Sequence, residues 1–176
     1  MVRTIGVAIG IPEPWGSQLD QHRADAGDPM APFIPAHLTL LGPTEVQADL
    51  MPKIEEHLAA VATGHRAFEV HLRGTGTFRP ITQVVFVALA NGADECAQLA
   101  ADVRLEPLDV TLRFPYHPHV TVAHDVPAAA LDAIFERLSA FEARFPVDGF
   151  TLYEHGDDGR WHAQRRFDLS GGTLET

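Results

Sequence analysis

Pro35-Ala36-His37-Leu38-Thr39-Leu40 and Pro118-His119-Val120-Thr121-Val122 carry one short pattern twice, His-apolar-Thr-apolar. Each copy sits in an apolar stretch short enough to be a buried strand. Successive side chains of a strand point to opposite faces. His37 and Thr39 therefore share one face, with Leu38 and Leu40 on the other; His119 and Thr121 are set against Val120 and Val122 in the same way. Such a strand buries its aliphatic face and presents an imidazole and a hydroxyl. Two of them can supply a pair of histidines to a single cleft.

The surroundings repeat as well. Ile5, Val7, Ile9 and Ile11 alternate with small residues, which predicts a strand over 5–11. Pro12 and Pro14 open a helix through Trp15 and Leu19, and residues 24–29 read as a loop. The first histidine strand ends at Gly42-Pro43-Thr44. Leu50, Ile54, Leu58 and Val61 mark a helix over 49–63, and Phe68, Val70 and Leu72 a strand broken by Gly74-Thr75-Gly76. The second half offers a strand at 84–89, a helix at 93–103, a short strand at Val110–Leu112 and the His119 strand. A helix over 127–141 and a strand over 147–154 complete it. The turn Gly156-Asp157-Asp158-Gly159 leads to a final strand, Trp161–Leu169.

The two series match in order at an offset close to eighty residues, and the histidines are 82 positions apart. This predicts an internal duplication within a single domain spanning 1–176, with pseudo-repeats over about 4–74 and 82–155 and a last strand over 160–169. A pseudo-two-fold axis would set His37 and His119 face to face across a central groove.

Composition narrows the function. The net charge of −11 argues against a grip on a long nucleic acid, where phosphate neutralisation supplies much of the affinity. A nucleic-acid substrate is expected to be small, or a strand end. The single Cys96 leaves no internal disulfide and no thiolate zinc site, and fits a reducing, cytoplasmic compartment. No apolar run is long enough to span a bilayer.

The doubled motif, with Pro-Ala-His-Leu-Thr-Leu-Leu-Gly-Pro over 35–43 and Phe-Pro-Tyr-His-Pro-His-Val-Thr-Val-Ala over 114–123, resembles the 2H phosphoesterases. Within them it is most similar to the 2′-5′ RNA ligase group, also described as RNA 2′,3′-cyclic phosphodiesterases. The resemblance covers essentially the whole chain. It implies a bilobal α+β fold, two antiparallel sheets flanking a groove with helices outside. It also implies metal-independent chemistry, without a cofactor, on cyclic or 2′-linked phosphates. Members of the group often carry an arginine five residues after the second motif histidine; here that residue is His124.

Opening a 2′,3′-cyclic phosphate needs a base for the attacking water and an acid for the departing ribose oxygen. Imidazole suits both, because its pKa near ~6.5 leaves both forms available. His37 and His119 are therefore expected to be catalytic, with Thr39 and Thr121 donating to the non-bridging oxygens. His124, Tyr116 and Arg113 are candidate substrate contacts: a phosphate ligand, a stacking ring and a guanidinium. His117, His119, His124 and Asp125 suggest a metal cluster only weakly, since Pro118 intervenes and no carboxylate stands at a matching spacing. The remaining histidines, His71 among them, fall on polar faces or turns. The expected protein is a monomer that hydrolyses cyclic phosphates on RNA 3′ ends or small cyclic nucleotides to 2′-phosphates, with 2′-5′ ligation as the reverse direction. The rivals are a phosphodiesterase for a small non-RNA cyclic phosphate, such as an ADP-ribose cyclic phosphate, and a protein that binds phosphate ends without turnover.

Overall fold

The computed structural model describes residues 1–171. In chain order its elements are β1 (Val2–Gly10), α1 (Trp15–Asp25), β2 (His37–Gln47), α2 (Met51–Thr63), β3 (Phe68–Thr77), β4 (Val84–Asn91), α3 (Ala93–Val103), β5 (His119–His124), α4 (Ala128–Arg137), β6 (Glu142–Val147), β7 (Gly149–His155) and β8 (Trp161–Asp168). The fold is α+β. The strands form two four-stranded antiparallel sheets, ordered β2-β1-β7-β8 and β5-β4-β3-β6.

The two sheets exchange elements. β3 leaves the first half of the chain to pair with β4, and β7 leaves the second half to pair with β1. The helices reciprocate: α1 packs on β5 and α3 on β2. Each histidine strand is thus an outer strand of its own sheet, backed by a helix from the other half, and the two strands touch. Their aliphatic faces behave as the alternation requires. Leu38, Leu40, Val120 and Val122 are buried in one continuous core with Ile54, Leu58, Leu99 and Leu131. A fully buried side chain of this size contributes about 1.5–3 kcal/mol, so these faces anchor both strands firmly.

Several elements differ from the sequence expectation, and edge position explains two of them, β2 and β6. β2 continues past Gly42-Pro43 to Gln47, the ladder absorbing these residues in a register shift between Ile5 and Val7. The helix expected over 127–141 stops at Arg137, and residues 142–146, expected in no element, form β6 with Val147. Pro43 and Pro146 speak against strands, because proline cannot donate to a ladder; on an edge strand that donor is not needed. β3 runs through Gly74-Thr75-Gly76 with a register shift and pairs Gly76 with Phe86. A Cβ on Gly76 would lie 2.5 Å from the Phe86 ring. Here glycine makes room for an aromatic ring and does not end the strand. Val110–Leu112 forms no strand. His71 is buried against Glu142, 2.7 Å away, where a polar face was expected.

Candidate active site

His37 is the first residue of β2 and His119 the first of β5. Because those strands lie side by side, both imidazoles open into one groove of about 280 Å³. Thr121, His124, Phe78 and Arg23 line it with them. A second cavity of about 170 Å³ adjoins on the other side of His37, lined by Thr39, Gly6, Pro43, Tyr153 and Trp161 among others. His37 borders both. Thr121 therefore shares the space between the histidines, whereas Thr39 faces the neighbouring, more apolar cavity.

Both rings are held in the same way. His37 donates its Nδ1–H to the carbonyl oxygen of Pro35 at 2.9 Å, and His119 donates its own to His117 at 2.6 Å. This fixes the tautomer and leaves Nε2 of each ring free to take or give a proton. Position is fixed as well. The Asp20 carboxylate accepts the Ala36 N–H at 2.6 Å, which holds the residue before His37. The His119 ring lies edge-on to Phe78, with centroids 4.9 Å apart, and 5.2 Å from Phe86.

Burial sets the proton affinity of the pair. The pKa of His37 is lowered from 6.5, chiefly by desolvation and further by the Arg23 charge; the Pro35 carbonyl and Asp20 oppose this. That of His119 is lowered too, by desolvation first, with the charges of His117 and His37 adding and the His117 carbonyl opposing. A proton on His37 thus disfavours a second one on His119. The arrangement is suited to holding one proton between two bases, the state that acid–base catalysis uses.

The remaining candidates separate. His124 lies in the groove wall, with its Nε2 3.3 Å from Asp125. Tyr116 does not line either cavity; its hydroxyl donates to the Thr39 carbonyl at 2.7 Å, bracing β2. The Arg113 guanidinium sits over the Phe114 ring at 5.6 Å, also outside both cavities. No group of three or more His, Cys, Asp or Glu side chains among the described residues is placed to hold a metal ion.

Sequence reasoning missed Arg23, Asp28, Phe78, Tyr153 and Trp161. Arg23 and Asp28 form a buried ion pair at 2.7 Å, at the groove wall. Nothing in the sequence marks either residue, because their partners come from α1, the following loop and β5. Trp161 was legible only as the start of a last strand, not as a wall beside Gly6.

A family model described as the 2′-5′ RNA ligase superfamily matches residues 11–159, most of the chain, including both histidine strands. The chain belongs to the 2′-5′ RNA ligase superfamily. Within this phosphoesterase superfamily, a Bacillus thuringiensis (strain Al Hakam) protein named "Putative phosphoesterase" is 24% identical over 147 residues, covering 82% of this chain and 85% of that protein. The crystal structure of E. coli LigT complexed with 3′-AMP has a TM-score of 0.72 at 24% identity, covering 97% of this chain and 99% of LigT. That of TT0787 from Thermus thermophilus gives 0.65 at 23% identity, covering 96% and 99%. These likenesses establish the fold of this superfamily member. No helix among its described residues is long and apolar enough to cross a membrane.

Proposed function

We propose that the groove hydrolyses 2′,3′-cyclic phosphates on RNA ends or small nucleotides, without a metal, by acid–base catalysis between His37 and His119. The observation that carries this reading is the matched pair of Nδ1–H bonds to the carbonyls of Pro35 and His117, which leaves Nε2 free on two rings that line one groove. One neutral Nε2 takes a proton from water as its oxygen attacks phosphorus. The P–O3′ bond breaks, and the other imidazolium gives its Nε2 proton to the departing O3′, leaving a 2′-phosphate. Water enters on one side of phosphorus and O3′ leaves on the other, so a histidine on each side suits the displacement. Thr121 donates to a non-bridging oxygen as its charge grows.

The apolar cavity beside His37, with Tyr153 and Trp161 in its wall, suits a nucleobase or other flat ring attached to the phosphate. E. coli LigT has been crystallised with 3′-AMP and with NADP+, which agrees with a small nucleotide in this fold. The net charge of −11 also favours a small substrate over a long strand.

Turnover of a 2′,3′-cyclic mononucleotide in EDTA, by wild type, His37→Ala and His119→Ala, tests the reading. Product that survives EDTA and disappears in both variants is expected. Loss of activity in EDTA, or full activity in either variant, would overturn it. A cyclic-ended oligonucleotide run alongside shows whether the substrate is an RNA end or a small molecule.

A further inference from the structure

Arg23 is a nearly buried arginine whose partner engages only one of its three guanidinium nitrogens. Its side chain is 9% exposed, and its Nε donates to Asp28 Oδ2 at 2.7 Å. Among the described residues neither Nη1 nor Nη2 has a hydrogen-bond partner. Those nitrogens belong to a residue that lines the groove with His37, His119 and Thr121. Neither nitrogen is sealed in the interior, so water reaches them from the groove, and a ligand oxygen can take that water's place. An ion pair that served only to pin the loop would need the Nε contact and nothing more.

Asp28 is fully buried and uses both oxygens. Oδ1 accepts the Met30 N–H at 2.8 Å, and Oδ2 accepts both Arg23 Nε and the His124 N–H at 3.0 Å. One carboxylate thus ties α1 to the end of β5, five residues beyond His119. The guanidinium is held from behind, and its outer edge is left to the groove. A planar pair of N–H donors matches the oxygens of a phosphoryl group better than a point charge does.

We infer that Arg23 is the phosphoryl-binding residue of the groove, presenting Nη1 and Nη2 to two non-bridging oxygens while Asp28 positions it. The inference rests on the proposed hydrolytic reading for its substrate, but not for its anion. Arg23 would neutralise the charge that grows on those oxygens as water attacks, leaving both histidines to move protons.

The test is calorimetric titration of inorganic phosphate into wild type, Arg23→Lys and the paired variant Arg23→Gln/Asp28→Asn, beside their thermal unfolding. The paired variant replaces the ions with neutral amides of similar shape, so no charge is stranded in the interior. Phosphate affinity is expected to fall about 10- to 100-fold in the paired variant. In Arg23→Lys, which keeps the charge without the fork, it should fall less. kcat/KM on a cyclic nucleotide should follow the same order, with the melting temperature of Arg23→Lys close to wild type. Wild-type phosphate affinity in a folded paired variant, or no phosphate binding by wild type at millimolar concentration, overturns the inference. Should both variants unfold, the Arg23 side-chain NMR resonances of wild type decide it: they must shift on adding phosphate, and no shift counts against Arg23. Phosphate binding through Arg23 without any turnover would sink the hydrolytic reading alone. Turnover indifferent to Arg23 would sink only the present one.

Discussion

His37 gives its Nδ1 proton to the carbonyl oxygen of Pro35, 2.9 Å away, and His119 repeats the relationship with His117. Each ring is held by a carbonyl two residues upstream, in the segment that leads into its strand, so the tautomer is set locally, before any substrate arrives. Nitrogen-15 NMR above pH 7 should therefore show Nδ1 protonated and Nε2 bare in both rings. The opposite tautomer at either position would remove that residue from the proposed role.

Removing one proton carrier should lower kcat by about 10²–10⁴-fold in His37→Ala or His119→Ala. The threonines should part company. Thr121 shares the cavity between the histidines, so Thr121→Val is expected to lower kcat by about 10²-fold. Thr39 opens to the neighbouring cavity, and Thr39→Val should cost less and act more on KM. Equal losses of kcat in the two variants would argue that both hydroxyls reach the phosphate.

Both imidazoles titrate below their ordinary 6.5, because burial disfavours the charged form. The pH profile of kcat/KM reports the free enzyme, so it should be bell-shaped with its maximum on the acid side of 6.5. A maximum well above neutrality would contradict the depressed pair.

The same shift makes stability depend on pH. Below 6.5 the unfolded chain binds protons that the folded chain still refuses. The contribution is complete above 6.5 and is lost as pH falls through the lower folded pKa values. Urea midpoints measured on either side of 6.5 should fall toward acid, with a shallower fall in the variant lacking both imidazoles.

Gly76 allows the Phe86 ring to lie across β3, and that ring in turn packs against Phe78 and His119. Gly76→Ala would place a methyl group in the ring. It should destabilise the fold by about 1–3 kcal/mol and lower activity through a displaced His119. Unchanged stability by denaturant titration would mean that the ring has another place to go.

Tyr116 reaches across to β2 with one hydrogen bond to the Thr39 carbonyl. Tyr116→Phe should cost about 1 kcal/mol of unfolding free energy. Substrate affinity should change little, because the ring lies outside both cavities. A large rise in KM with stability intact would restore Tyr116 as a substrate contact.

Much of the fold was legible because its determinants are local. The Leu38/Leu40 and Val120/Val122 faces announce buried strands, and the core receives them as such. The stripe Ile54, Leu58 and Val61 likewise announces α2. What escaped was decided by neighbours in space. Pro43 and Pro146 look like strand breakers until their strands are seen at sheet edges. Gly76 looks like one too, until Phe86 is seen across the ladder.

The sequence by itself determined the two histidine strands, the faces they bury and the doubled order of elements around them, because alternation and spacing are properties of the chain alone. Only the tertiary structure decided that both rings open into one groove with Thr121, and that Thr39 opens beside it. It also decided that Arg23 joins them. The ion pair that seats Arg23, and the Asp28 bond to His124, depend on α1 crossing to the other half's sheet. That exchange follows from burying two sheets against one core, and no short pattern of residues records it.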